Sequence, residues 1–161
     1  MTFSAYSQRK RLLMSGLPEY ARSMDKLFFD TNVVLDVLEC RAPWFPDSSE
    51  CLALARYGKC LGAVNALSIS NITYIQRASP RSEIYSVFKR LREFLDLASL
   101  DGPVVDAALA RELPDLEDGL QLESALAWGA THLITRNVKD FPSSPPIIVL
   151  TPADYLVLWN K

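Results

Sequence analysis

The apolar run Leu27-Phe28-Phe29 stops on an acid, Asp30, and Thr31-Asn32 lead straight into the periodic stretch VVLDVLEC. This pattern predicts a buried strand over 27–30 with a helix over 32–40 directly behind it. The carboxylate then stands at the carboxyl end of the strand. In an open α/β sheet that end faces the crevice where ligands bind. Asp is also common just before a first helical turn, which it caps. Both roles stay open for Asp30 until the other acids are placed.

The alternation continues along the chain. It predicts helix 48–58, capped by Asp47 or Ser48, then a short strand at 61–64 and helices at 68–77 and 81–94. A strand near 94–98 follows, then a helix over 104–112 that Pro103 opens and Pro114 breaks. Helix 116–129 closes on Gly129, a good carboxyl-terminal signal. Strand 132–135, the turn NVKDFPSSPP, strand 147–150 and a helix from Pro152 complete the set. Strands alternating with helices predict an α/β fold whose parallel sheet is covered on both faces. The 161 residues are enough for one domain with a real core and too few for two. We place that domain at 24–161, with Met24 a natural start, and read 1–23 as an N-terminal extension.

Charge and cysteine usage narrow the class. The net charge is −2, but residues 1–23 hold four bases and one acid, leaving 13 bases against 18 acids from Met24 onward, or −5. A strongly basic nucleic-acid footprint is therefore absent. An acidic pocket can still meet phosphate through a cation and a few local bases. No run approaches the ~18 apolar residues of a membrane span. The basic RKR at 9–11 precedes only a short apolar stretch, a poor signal peptide. The chain reads as cytoplasmic with no membrane contact. Cys40, Cys51 and Cys60 form no CxxC and read as buried free thiols, and His132 as a structural or surface residue.

Three polar clusters remain: Asp30-Thr31-Asn32; Asp115, Glu117 and Asp118 in PDLEDGLQLESALAWGA; and Thr135-Arg136-Asn137 with Asp140. The first and third follow parallel strands and should share one rim. Asp118, Gln121, Leu122 and Ala125 share a helical face, so Asp118 points inward. Asp115 is either a favourable first-turn acid on a solvated helix or a site residue, while Glu117 reads as a solvated first-turn acid. Asp36 and Glu39 take outward positions by default. Carboxylates crowded together repel, and a divalent cation resolves the conflict. Oxygen-only ligands suit Mg²⁺ or Mn²⁺. Arg136 and Lys139 either grip phosphate or are surface charges, and the bases Arg77, Arg81, Lys89, Arg90 and Arg92 either line an RNA path or are solvated.

On the segments KLFFDTNVVLDVL, ALSISNITYI, LPDLEDGLQLESALAWGATHLITRNVKDF and IIVLTPADYL, about residues 25–158, the chain resembles PIN-domain proteins. It is most similar to the bacterial branch that includes the ribonuclease toxins of toxin–antitoxin pairs. The resemblance implies a three-layer α/β/α sandwich with a five-stranded, mainly parallel sheet. It also implies RNA hydrolysis with Mg²⁺ or Mn²⁺ held by three or four acids. Asp30 matches the first acid, Asp118 the acid opening the late helix, and Asn137 or Asp140 the fourth position. The mid-domain position usually held by Glu falls on Asn71, which keeps an oxygen but loses charge. Asn32 and Thr135 then orient a carboxylate or a water, beside Arg136 and Lys139. The implied partners are an RNA substrate, a cognate antitoxin and a second copy of the chain. Trp44, Phe45, Tyr57, Tyr74, Tyr85 and Phe88 are available for that homodimer. The alternative is a non-catalytic PIN-like module that binds RNA or a partner protein. A phosphoryl-transfer domain is disfavoured, because the chain has no DxDxT after its first strand and no GxxxxGK[ST] loop.

Overall fold

The structure is a computed structural model describing residues 24–142 and 146–160. The expected extension at 1–23 lies outside the described residues. The elements run β1 (Lys26–Phe29), α1 (Thr31–Leu38), α2 (Phe45–Arg56), β2 (Leu61–Asn65), α3 (Ala66–Ile75), α4 (Arg81–Leu91) and β3 (Leu95–Ala98). After these come α5 (Gly102–Arg111), α6 (Leu116–Trp128), β4 (His132–Ile134), a 3₁₀ turn (Val138–Asp140), β5 (Ile148–Leu150) and α7 (Pro152–Trp159). All pairings are parallel and the strand order is β3-β2-β1-β4-β5. The expected five-stranded parallel α/β fold is thus present, with each element within a few residues of its sequence-based place.

β1 is central, and its alternation divides the core. Leu27 and Phe29 face one layer with Val64, Leu95 and Ile134, under Val33, Val34, Cys51, Leu52, Ile72 and Tyr155 from the helices. Phe28 faces the other with Ala63, Ala98 and Leu133, under Leu122 and Ala125 of α6. Leu27, Phe28 and Phe29 are fully buried, each contributing about 1.5–3 kcal/mol of apolar burial. That burial on both faces fixes the register of β1 and so the position of Asp30.

Several expectations about single residues need correction. α2 begins at Phe45 with Pro46 in its first turn, and neither Asp47 nor Ser48 caps it. Ser48 instead donates to Asp36 Oδ2 at 3.1 Å. Asp36 is fully buried rather than outward, with Ser48 bonded to its Oδ2 and the Arg136 charge beside its Oδ1, which has no hydrogen-bond partner among the described residues. Cys40 is exposed, at a residue with φ of 50°, while Cys51 and Cys60 are buried as expected. Burial pushes both of these thiols up to about 12, away from thiolate chemistry. His132 is buried edge-on against Tyr155, with its Nδ1 2.8 Å from Thr131 Oγ1.

Candidate active site

Asp30 is fixed where β1 ends. Its N–H donates to Ile134 O at 3.0 Å, so β1 and β4 are still paired there. Its carboxylate caps α1 by accepting from Asn32 N–H at 3.4 Å. It also accepts from the Thr135 hydroxyl at 2.8 Å and from Gln121 Nε2 at 2.8 Å. One carboxylate therefore both caps the helix and faces the rim, and the two readings of Asp30 do not compete. Burial raises its pKa, opposed by the hydrogen bonds from Thr135 and Asn32 and by the charge of Arg136.

α6 brings the second group of acids. Asp115 caps it, accepting from Glu117 N–H at 2.7 Å, which places Glu117 and Asp118 in the first turn. The Asp118 carboxyl is pushed up to about 7, first by burial and then by the charges of Asp115, Asp30, Asp140 and Glu117. Acids from the end of β1, the start of α6 and the turn after β4 thus converge on one carboxyl. Of the two candidates for the fourth position, Asp140 is among the acids whose charge raises Asp118, an effect the neutral Asn137 cannot have. The Asn137 side chain is exposed, and its backbone N–H donates to Thr135 Oγ1 at 3.1 Å. Thr135, fully buried, therefore links this turn to Asp30.

Asn71 reaches the group from α3. Its Nδ2 donates to Glu117 Oε1 at 2.7 Å. Glu117 is half-buried rather than solvated, and burial followed by the charges of Asp30 and Asp115 raises its pKa. Arg136, read as either a phosphate grip or a surface charge, is already paired within the fold. Its guanidinium lies 3.1 Å from Asp36 Oδ1 and 4.2 Å from the centre of the Trp44 ring, tying it to α1 and the start of α2. Lys139 is exposed and lines a separate cavity of ≈ 800 Å³ with Thr131, Phe141 and Ile148. Arg77 stacks on Tyr74 at 4.6 Å on the exposed side of α3.

Gln121 was missed as a site residue, although its inward phase is legible. An uncharged polar side chain on the apolar face of a helix must find a buried partner. Its Nε2 finds Asp30 and also Thr31 Oγ1, at 3.1 Å. Its Oε1, in a side chain only 1 % exposed, has no hydrogen-bond partner among the described residues. That orphaned acceptor lies among oxygen donors whose charges raise one another's pKa, a donor set suited to a hard divalent cation. Among the described residues no three of His, Cys, Asp and Glu close on one point as a ready-made cage. Mg²⁺ needs no such cage, since it keeps several waters and takes one or two carboxylates. The oxygen donors present fit such an ion.

A small parallel α/β domain with acids gathered on its carboxyl rim is the class this geometry defines. The PIN domain family model matches residues 26–139, and the chain belongs to that family. PIN domains are typically nucleases and generally use divalent metal ions. No curated protein sequence matches the chain. Among solved structures it is similar to a toxin–antitoxin complex from Klebsiella pneumoniae, with a TM-score of 0.59 and 20% identity over 78% of this chain and 97% of that one. VapBC2 from Rickettsia felis, bound to a DNA fragment from its promoter, gives 0.59 and 18% over 78% and 98%. DNA-bound VapBC from Salmonella typhimurium gives 0.58 and 17% over 80% and 99%. At these identities the likeness is one of fold.

Proposed function

We propose that this chain is a metal-dependent ribonuclease that hydrolyses RNA phosphodiester bonds, and the toxin of a toxin–antitoxin pair. The observation that carries the reading is the Asp118 carboxyl, pushed up to about 7 first by burial and then by acids from three parts of the fold. Such crowding is costly for stability and marks a working site. A bound Mg²⁺ or Mn²⁺ would polarise a phosphoryl oxygen and lower the pKa of a coordinated water. Asp30 and Asp118 would hold the ion, Asp140 and Asn137 would hold it or its waters, and Asn71, expected among them, turns its amide to Glu117 instead. Thr135 and Gln121 fix the Asp30 rotamer by donating to opposite carboxylate oxygens. Asn32 steadies the ionised form through its backbone N–H. The toxin–antitoxin complexes of like fold support an antitoxin partner.

One observation favours the second reading, a non-catalytic module binding RNA or a partner protein. It is that no three metal-binding side chains form a cage among the described residues. The deciding experiment measures cleavage of a mixed RNA with Mg²⁺, with Mn²⁺ and with chelator, using Asp30→Asn as control. Cleavage that needs the metal and disappears in the variant supports the nuclease. RNA binding without metal-dependent cleavage assigns the chain to the second reading.

A further inference from the structure

Asn71 occupies the position where a carboxylate is expected, and its side chain does not stand alone. Its amide donates to Glu117 Oε1 at 2.7 Å across the gap between α3 and α6. Glu117 is four residues before Gln121, so the two stack on one face of α6. Gln121 in turn donates to Asp30 Oδ1 at 2.8 Å and leaves its own buried Oε1 without a partner among the described residues. A chain of side chains thus runs from α3 through Glu117 and Gln121 to Asp30.

We propose that Glu117 supplies the carboxylate that Asn71 lacks. α6 provides two neighbouring acids, Asp118 to the cation directly and Glu117 through one of the waters such an ion keeps, and Asn71 is the positioning residue that holds Glu117 toward the pocket. The proposal rests on the metal-dependent reading above and adds a water-bridged carboxylate to it, since among the described residues no three such side chains close on one point. The physical reason is charge. Affinity for a hard cation follows the number of anionic oxygens and the rigidity of the site. An acid on a neighbouring helix, steered by an amide, restores the charge lost at position 71. The 2.7 Å bond from Asn71 holds the half-buried Glu117 side chain across the gap between α3 and α6. The orphaned Gln121 Oε1 is the independent sign that this stretch of α6 faces something besides protein.

The test is calorimetric titration of the full chain with Mn²⁺, with thermal melting as the fold check. Asp30→Asn is the reference for the metal site itself. Glu117→Gln should weaken Mn²⁺ binding by about tenfold or more, the scale on which ligand charge tunes such sites. Asn71→Ala should weaken it by about tenfold as well, as loss of a supporting partner does. In the Glu117→Gln background, Asn71→Ala should change nothing further, because the group it positions is already gone. A merely structural Asn71 would instead weaken both backgrounds equally. Mn²⁺ affinity lost in Asp30→Asn but unchanged in Glu117→Gln would overturn this assignment while leaving the metal-dependent reading intact. A wild-type chain that binds no Mn²⁺ would overturn both. Should Glu117→Gln fail to melt cooperatively, Asn71→Ala alone decides, and unchanged affinity in it counts against the proposal.

Discussion

At the scale of single residues, the site trades stability for charge. The Asp118 carboxyl, raised to about 7 by burial and by four neighbouring acids, binds its proton more tightly folded than unfolded. Folding stability is then fullest at acid pH and declines as pH rises toward 7, since the native state holds the extra proton over that window. Two outcomes follow from this sign. Mn²⁺ affinity should climb with pH through about 7 and then level off, because the cation must displace that proton. Calorimetry in a pH series reads this directly, and flat affinity between pH 6 and 8 would contradict it. Asp118→Asn should lose metal binding yet melt higher than wild type at pH 8. The gain should be on the order of 2–4 °C, the shift that accompanies ~1 kcal/mol in a domain of this size. Part of this was readable in advance. Asp30 and Asp118 are marked by strand-end position and helical phase. Glu117 was not, because a first-turn acid looks the same whether it faces solvent or a distant Asn. The role of Asn71 depends on a contact 46 residues away in sequence.

At the scale of elements, the apolar periodicity carried nearly everything. Both faces of β1 are apolar and its ends are abrupt, so strand, helix start and rim position follow together. What escaped was the polar packing between elements. Asp36 on α1, Ser48 on α2 and Arg136 after β4 form one buried group under Trp44, and no local pattern ties those positions together. Removing one partner of a buried ion pair leaves the other charge uncompensated, so Asp36→Ala should cost roughly 3–5 kcal/mol. Chemical denaturation measures this, and a loss below 1 kcal/mol would show that Arg136 finds water instead. Gly62, inside β2, is a second case. A Cβ there would stand 2.6 Å from Leu95 Cδ2 and 2.8 Å from Ala55 Cβ. The glycine is what lets α2 lie close on the sheet. Gly62→Ala should destabilise by about 1–3 kcal/mol, the usual cost of overpacking. A neutral effect in the same denaturation series would mean that α2 shifts freely.

For the whole molecule, the sheet order places β1 and β4 side by side, which brings Asp30 and Thr135 together, and α6 returns Asp118 to the same rim. The candidate site is therefore a property of the crossover topology. A chain beginning at Met24 should melt as the full chain does and bind the same metal. Insolubility or a much lower Tm would make residues 1–23 part of the core. The exposed aromatics Trp44, Tyr57, Tyr74 and Tyr85 support the proposed self-association, whereas Phe88 packs against the core. Sedimentation at micromolar concentration should show a dimer, and a monomer alone would remove that proposal. The central claim is that the converging acids hold a divalent cation, and anomalous diffraction from crystals soaked in Mn²⁺ tests it most directly. The account predicts an anomalous peak in contact with the carboxylates of Asp30 and Asp118. A peak elsewhere, or none there at saturating Mn²⁺, would contradict it.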